Sequence, residues 1–320
     1  MSETQLSPTS PEQSNAVIEC IGLSRWYGEV QGLAGLDLKV GSGVIGLLGP
    51  NGSGKSTLMR LLTGLIRPSR GEVRLFGERV TQSSNHLFRK VGHTPGDDIH
   101  LETERAIDFL CLLASLNGAT RKEAEKRADH ALDQVGLLNK REVQLKAMSK
   151  GMRQRVKVAQ ALMYEPQLLL LDEPLNGMDP ISRRKTLDFV REFGESGKTV
   201  VLASHVLHEV EAVTEHLVLL HHGRLLAEGK LSEIRALVDQ KPRSLTVSGE
   251  NLQPLAASLL AADLITGIQF HEGKLQLETR RLNELLNHLA DFGRQGQIES
   301  MDLEDENLEA VFGMLVGENA

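Results

Sequence analysis

The spacing of apolar residues changes along the chain. From Val17 to about Phe76, short apolar runs alternate with glycine and polar residues, as strands do. Val44-Ile45-Gly46-Leu47-Leu48 is one such run, and Glu72–Gly77 reads as a hairpin strand with a turn behind it. Over residues 101–147 the period becomes helical. Ala106, Phe109, Leu110, Leu113 and Leu116 share one helical face, and a charged helix comes next over Arg121–Gly136. After Ser149, helix and buried strand alternate: helix over Val156–Met163, a fully apolar strand over Leu168–Leu171, helix over Ser182–Phe193, and an apolar run over Thr199–Ala203. Short, wholly apolar strands between helices predict a largely parallel sheet covered on both faces.

Near Lys241-Pro242 the pattern changes again. From Ser244 onward the chain reads strand (Ser244–Val247), helix (Leu255–Ala262), strand (Thr266–Phe270), strand (Lys274–Leu277), helix (Leu282–Phe292) and strand (Ile298–Leu303). This βαββαβ order is the split-βαβ, ferredoxin-like arrangement, with a further helix expected over Leu308–Leu315. The expected organisation is therefore a polar disordered tail (1–15), an α/β domain (16–240) with a helical insert at about 97–147, and a small α+β domain (243–320).

Composition narrows the function. The 320 residues are 40% hydrophobic and 25% charged, an ordinary globular balance with room for one large domain and a smaller one. A net charge of −7 and only 3% aromatic residues argue against bulk electrostatic binding of nucleic acid and against base-stacking platforms, so no nucleic-acid partner is expected. Cys20 and Cys111 lie in unrelated segments without metal-ligand spacing. No apolar run approaches the roughly 18 residues of a membrane span, and no basic-then-apolar leader opens the chain. A cytoplasmic location is expected unless another protein holds the chain at a membrane.

The chemistry begins at Gly49-Pro50-Asn51-Gly52-Ser53-Gly54-Lys55-Ser56-Thr57. This stretch contains Gly-x-x-x-x-Gly-Lys-Ser, the P-loop pattern, between the apolar run ending at Leu48 and a helical run from Leu58. The glycines let the backbone turn its N–H groups inward toward phosphate oxygens, and the helix adds the positive end of its dipole. Lys55 is placed to reach the β- and γ-phosphates, and Ser56 to hold Mg²⁺. The expected second half is Leu168–Pro174, where a buried strand ends in Asp172 and Glu173. One carboxylate suffices for Mg²⁺; the adjacent one suits a general base that activates water.

From these pieces the chain resembles the ATP-binding cassette (ABC) family over about residues 17–238. Tyr27, in Trp26-Tyr27-Gly28, resembles the family's adenine-stacking aromatic. Met148–Gln154 resembles the signature motif, in which Ser149 and Gly151 open a helix that faces the γ-phosphate of a second subunit. Asn176–Pro180 resembles the loop that signals across that dimer, with Asp179 within it, and Ser204-His205 resembles the switch histidine. Asp179-Pro180 is equally a good helix start and His205 an ordinary strand-end residue. The resemblance implies ATP and Mg²⁺ as cofactors, Lys55, Glu173 and His205 as catalytic, Ser56 and Asp172 on the metal, and a membrane-spanning permease plus a second ATP-binding subunit as partners.

Two departures from the family pattern stand out. In Val91–Asp98 the family commonly places glutamine after the proline, and here that residue is Gly96. Either Asp97 substitutes, or hydrolysis and coupling are weakened. In the signature, Lys150 replaces the first glycine and Met152 the glutamine, a version similar to that of single-cassette ATPases of type-2 ABC exporters. The Leu303–Phe312 segment resembles the closing segment of the same group, though a helix packing on its own small domain explains it as well. The expected function is thus the ATP-hydrolysing subunit of an exporter; the alternatives are a soluble ABC ATPase acting on ribosomes or nucleic acid, and an ATP-gated switch with weak hydrolysis.

Overall fold

A computed structural model of the chain describes residues 16–96, 103–234, 243–249, 252–271, 274–294 and 297–303. The chain divides into two compact units, residues 1–225 and 226–320. This division falls before the change of character at Lys241-Pro242, so residues 226–234 go with the second unit by compactness although the sequence groups them with the first.

The first unit opens with an antiparallel sheet. β1 (Ile18–Tyr27) pairs with β2 (Val30–Val40) on one side and β4 (Arg70–Leu75) on the other, and β4 carries the short β5 (Glu78–Arg79). The second sheet of this unit has the order β9 (His216–His221), β3 (Gly43–Leu48), β8 (Thr199–Ser204), β7 (Leu168–Asp172), β6 (Val91–Thr94), and β10 (Arg224–Lys230) runs across the division of the units. From β9 to β6 every pairing is parallel. A parallel sheet needs cover on both faces, and β7 and β8 are accordingly buried at every position. Helix α1 (Lys55–Leu62) fills the space between the sheets. Its Leu58, Met59, Leu61 and Leu62 share one core with Leu23, Leu36 and Leu75 of the antiparallel sheet and Leu168, Leu170 and Val201 of the parallel one. At about 1.5–3 kcal/mol for each fully buried large side chain, this helix is anchored far more firmly than its length alone would allow.

Four-residue α2 (Asn85–Phe88) leads into β6, and α3 (Ala106–Leu116) and α4 (Arg121–Gln134) make the described part of the helical insert. Thr120 and Glu123 close α4 with a reciprocal capping box. The buried face of α3 is Ala106, Ile107, Phe109, Leu110 and Ala114, while Leu116, grouped with that face by spacing, is exposed. Helices α5 (Lys150–Leu162), α6 (Pro180–Glu195) and α7 (Leu207–Glu211) complete the unit.

In the second unit, β11 (Arg243–Ser248), α8 (Gln253–Ala261), β12 (Gly267–His271), β13 (Lys274–Thr279), α9 (Leu282–Arg294) and β14 (Ser300–Leu303) alternate in βαββαβ order. The strands lie β12-β13-β11-β14, all pairings antiparallel. Leu245, Val247, Leu255, Leu259, Leu275, Leu277, Leu285 and Leu289 give this unit its own core. The expected helix over Leu308–Leu315 and the tail at 1–15 lie outside the described residues.

Candidate nucleotide-binding site

The glycine loop leaves the buried end of β3 and turns directly into α1. Gly52 and Gly54 both sit at positive φ, 81° and 108°, which a side chain tolerates poorly. Gly54 carries a second constraint: a Cβ there would lie 2.7 Å from the Gly32 carbonyl oxygen, a backbone atom that cannot step aside. The loop is also clasped from outside, because the Gly223 N–H donates to the Ser53 carbonyl at 2.9 Å and the Gly223 carbonyl accepts from the Ala34 N–H at 2.8 Å. Helix α1 begins with no side-chain cap, so its first-turn N–H groups stay available to an anion. Lys55 is buried, its ammonium donating to the carbonyls of Gly49 at 2.6 Å and Pro50 at 3.3 Å. Ser56 next to it is exposed.

Two strands away in the same sheet, β7 delivers the carboxylates. Asp172 is buried, and its Oδ1 has no hydrogen-bond partner. Glu173 takes a left-handed φ of 48°, a conformation that costs a non-glycine residue about 1–3 kcal/mol. Its backbone N–H donates to the Ala203 carbonyl at 3.1 Å, which holds the turn against β8. The side chain then reaches two partners. Its Oε2 is 2.9 Å from His205 Nδ1, and its Oε1 is 3.6 Å from Lys55 Nζ, an ion pair without a hydrogen bond. His205 is carried by Ser204, whose buried hydroxyl donates to Glu209 Oε2 at 2.8 Å. The structure therefore brings Lys55, Asp172, Glu173 and His205 together from a loop and two strand ends far apart in sequence.

The signature residues are positioned by helix capping. Ser149 is the N-cap of α5, its Oγ accepting from the Met152 N–H at 3.2 Å. A Cβ on Gly151 would meet Met178 Cα at 3.2 Å, so the first turn of α5 packs on the backbone of the Asn176–Asp179 loop. Gly177, at φ 71°, lies directly under the aliphatic stem of Lys150. Asp179 caps α6 through the N–H groups of Ile181 (3.1 Å) and Ser182 (3.0 Å), with Pro180 in the first turn. Hydrogen bonding from Ser182 holds its carboxyl below the usual carboxylate range. Asp179 thus acts as a helix start, as its dipeptide predicts.

Tyr27, at the end of β1, is 39% exposed. Gly32 brings it to the glycine loop: a Cβ there would meet Tyr27 Cε2 at 2.9 Å and Thr57 Oγ1 at 3.2 Å. Gly96 lies over the Asp172 carboxylate, since a Cβ on it would be 3.6 Å from Asp172 Oδ2. Asp97 lies outside the described residues. Gly32, Gly223 and Arg25 belong to no sequence motif. Only Arg25 carries a signal, standing two residues before Tyr27 on one strand face.

A glycine loop between β3 and α1, faced by carboxylates at the end of β7, defines a P-loop nucleotide-binding protein. A family model described as ABC transporter matches residues 33–176. The daunorubicin/doxorubicin resistance ATP-binding protein of Streptomyces peucetius is 32% identical over 314 residues, covering 96% of this chain and 94% of that protein. The bacitracin transport ATP-binding protein of Enterococcus faecalis is 34% identical over 310 residues, 94% of this chain and 96% of its own length. Among solved structures, an ATP-binding subunit of an ABC transporter superposes with a TM-score of 0.61 at 30% identity, over 69% of this chain and 92% of the other. A dimeric bacterial ABC transporter cassette does so with a TM-score of 0.61 at 26% identity, over 67% and 98%. The chain belongs to the ABC transporter family. As an ATP-binding subunit of that family it is an ATPase coupled to transport.

Proposed function

We propose that this chain powers an exporter: it hydrolyses ATP while closing against a second ATP-binding subunit, and so drives a separately encoded membrane-spanning permease. The observation that carries hydrolysis is Glu173, held between Lys55 and His205 by a strained turn. Export is supported by full-length relatives named for drug resistance and bacitracin transport, and by a Nod factor export ATP-binding protein of Cupriavidus metallidurans, 33% identical over 247 residues (76% of this chain, 80% of that protein). No helix among the described residues is long and apolar enough to cross a membrane. The place assigned to the chain, peripheral on the inner face, follows from the proposed permease partner.

In this scheme the N–H groups of the loop after Pro50, residues 51–57, and the Lys55 ammonium hold the phosphates, and Tyr27 stacks on the adenine. The donor set suits magnesium: an exposed serine hydroxyl at Ser56 and a buried, unpartnered carboxylate oxygen at Asp172 are hard oxygen ligands. Bound there, Mg²⁺ supplies charge neutralisation on the β- and γ-phosphates. Glu173 accepts the proton of the attacking water, His205 steadies the γ-phosphate, and ADP leaves with the bridging oxygen. Ser149 and Gly151, at the start of α5, face the phosphates bound by the other subunit, and Asp179 lies on the loop between the two sites.

The deciding experiment co-expresses the chain with candidate multi-span permeases. The chain should move to the membrane fraction and its turnover should change in the purified complex. Recovery with ribosomes, or turnover indifferent to every candidate permease, would overturn the export reading.

Gly96 supports the slower variant of this function, an ATP-gated switch with little hydrolysis. A Cβ at 96 meets only ordinary van der Waals contact at Asp172, so Gly96→Gln should fold unchanged and lay an amide over the carboxylate. Turnover is expected to rise severalfold in Gly96→Gln. An unchanged rate would mean that the missing glutamine does not limit hydrolysis.

A further inference from the structure

Arg25 and Tyr27 lie two residues apart on β1 and so project from the same face of the strand. The Arg25 guanidinium carbon is 4.8 Å from the centroid of the Tyr27 ring, within cation–π range. That guanidinium is itself lodged. One terminal nitrogen donates to the Arg67 carbonyl at 3.0 Å, and its Nε is buried without a partner. The surrounding backbone is laced to the same loop beyond α1: the Trp26 N–H donates to Ser69 Oγ at 3.1 Å and the Ser69 N–H to the Ser24 carbonyl at 2.8 Å. Tyr27, by contrast, is partly exposed and followed at once by Gly28 at φ 62°. Left to itself, such a ring would lose rotamer freedom whenever a base stacked on it.

We infer that Arg25 is the positioning residue of the base subsite: it fixes Tyr27 from one face so that the opposite face is ready for the adenine. The inference rests on the reading of Tyr27 as the adenine-stacking residue. Arg25 touches no phosphate in this scheme and acts through the ring alone, which separates its effect from that of Lys55. Immobilising one rotamer-rich side chain and supporting it with a cation is worth about three- to tenfold in affinity.

The test measures dissociation constants of the full chain by titration calorimetry for ATP and for inorganic tripolyphosphate, which has no base. Arg25→Ala should weaken ATP about three- to tenfold and leave tripolyphosphate unchanged. Arg25→Lys, which keeps the charge without the planar stack and fork, should recover only part of the loss. Equal weakening of both ligands by Arg25→Ala would make Arg25 a structural residue and overturn the inference. So would unchanged or tighter ATP binding, the latter because the guanidinium would then occupy the seat of the base. Tyr27→Ala separates the two layers. If it leaves ATP binding intact, the base-stacking reading itself fails; if it weakens ATP while Arg25→Ala does not, only the role of Arg25 fails.

Discussion

Lys55→Ala is expected to weaken nucleotide binding by about two orders of magnitude or more, with turnover lost in proportion. In the folded chain the Lys55 ammonium sits inside the glycine loop, bound to the carbonyls of Gly49 and Pro50 and 3.6 Å from Glu173. A charge-assisted hydrogen bond contributes about 1.5–3 kcal/mol, and two lost contacts to phosphate oxygens account for the predicted drop. A second effect works in the same direction. Glu173 is mostly buried, and without its cation the carboxylate stands beside the incoming phosphates with only His205 for company. Unpairing a partly buried charge is destabilising, so the empty site should also become less stable or rearrange. Titration with a fluorescent ATP analogue measures the first effect and thermal unfolding of the empty protein the second. Wild-type affinity in Lys55→Ala would remove the phosphate cradle from the mechanism.

How much of this was legible in the sequence depends on how local the physics is. The loop at 49–57 could be read as a motif because Gly52 and Gly54 answer a local demand, positive φ followed by a helix start. Leu168–Leu171 was legible as a buried strand because four leucines in a row have no polar face to offer. In the second unit the βαββαβ order was readable from alternation alone. Strand neighbours were not, because pairing is decided by long-range packing. The same limit explains Leu116: a period shows which residues share a face, and the exposed end of α3 lies beyond what the neighbouring helix covers.

The site was legible as a set of residues and illegible as a geometry. Nothing near Glu173 in sequence says that its carboxylate reaches both Lys55 and His205, since a loop 118 positions earlier and a strand end 32 positions later must be brought to it (173 − 55; 205 − 173). Gly32 and Gly223 were invisible for a related reason. Each serves a backbone contact with the glycine loop made across the fold, and neither belongs to a motif. Lys150 shows the reverse case. By motif it is a substitution for glycine next to a phosphate. In the structure its aliphatic stem lies across Gly177, tying the start of α5 to the loop before α6, so that Ser149 and Asp179 are held on one packed body.

Glu173→Gln should bind ATP as well as the parent, or better, while turnover falls by about 10²–10⁴-fold, the usual contribution of a general base. The substitution keeps the shape of the side chain and an oxygen for His205 Nδ1, so the strained turn at φ 48° has no new reason to relax. It removes the carboxylate assigned to take the proton from water. It also removes the negative charge beside Lys55, freeing the ammonium for the phosphates. Affinity therefore cannot fall for electrostatic reasons, and the split between binding and turnover identifies a base rather than a scaffold. If closure against a second subunit precedes hydrolysis, the variant should accumulate as an ATP-dependent dimer, seen by size exclusion with light scattering and dissolved by removing ATP. Ser149→Arg in the same chain should abolish that dimer, because it removes the cap of α5 and puts a bulky side chain where the proposed two-subunit site seats the other subunit's phosphates. Parental turnover in Glu173→Gln would remove Glu173 as the base. Slow turnover without an ATP-dependent dimer would keep the base and discard the two-subunit site.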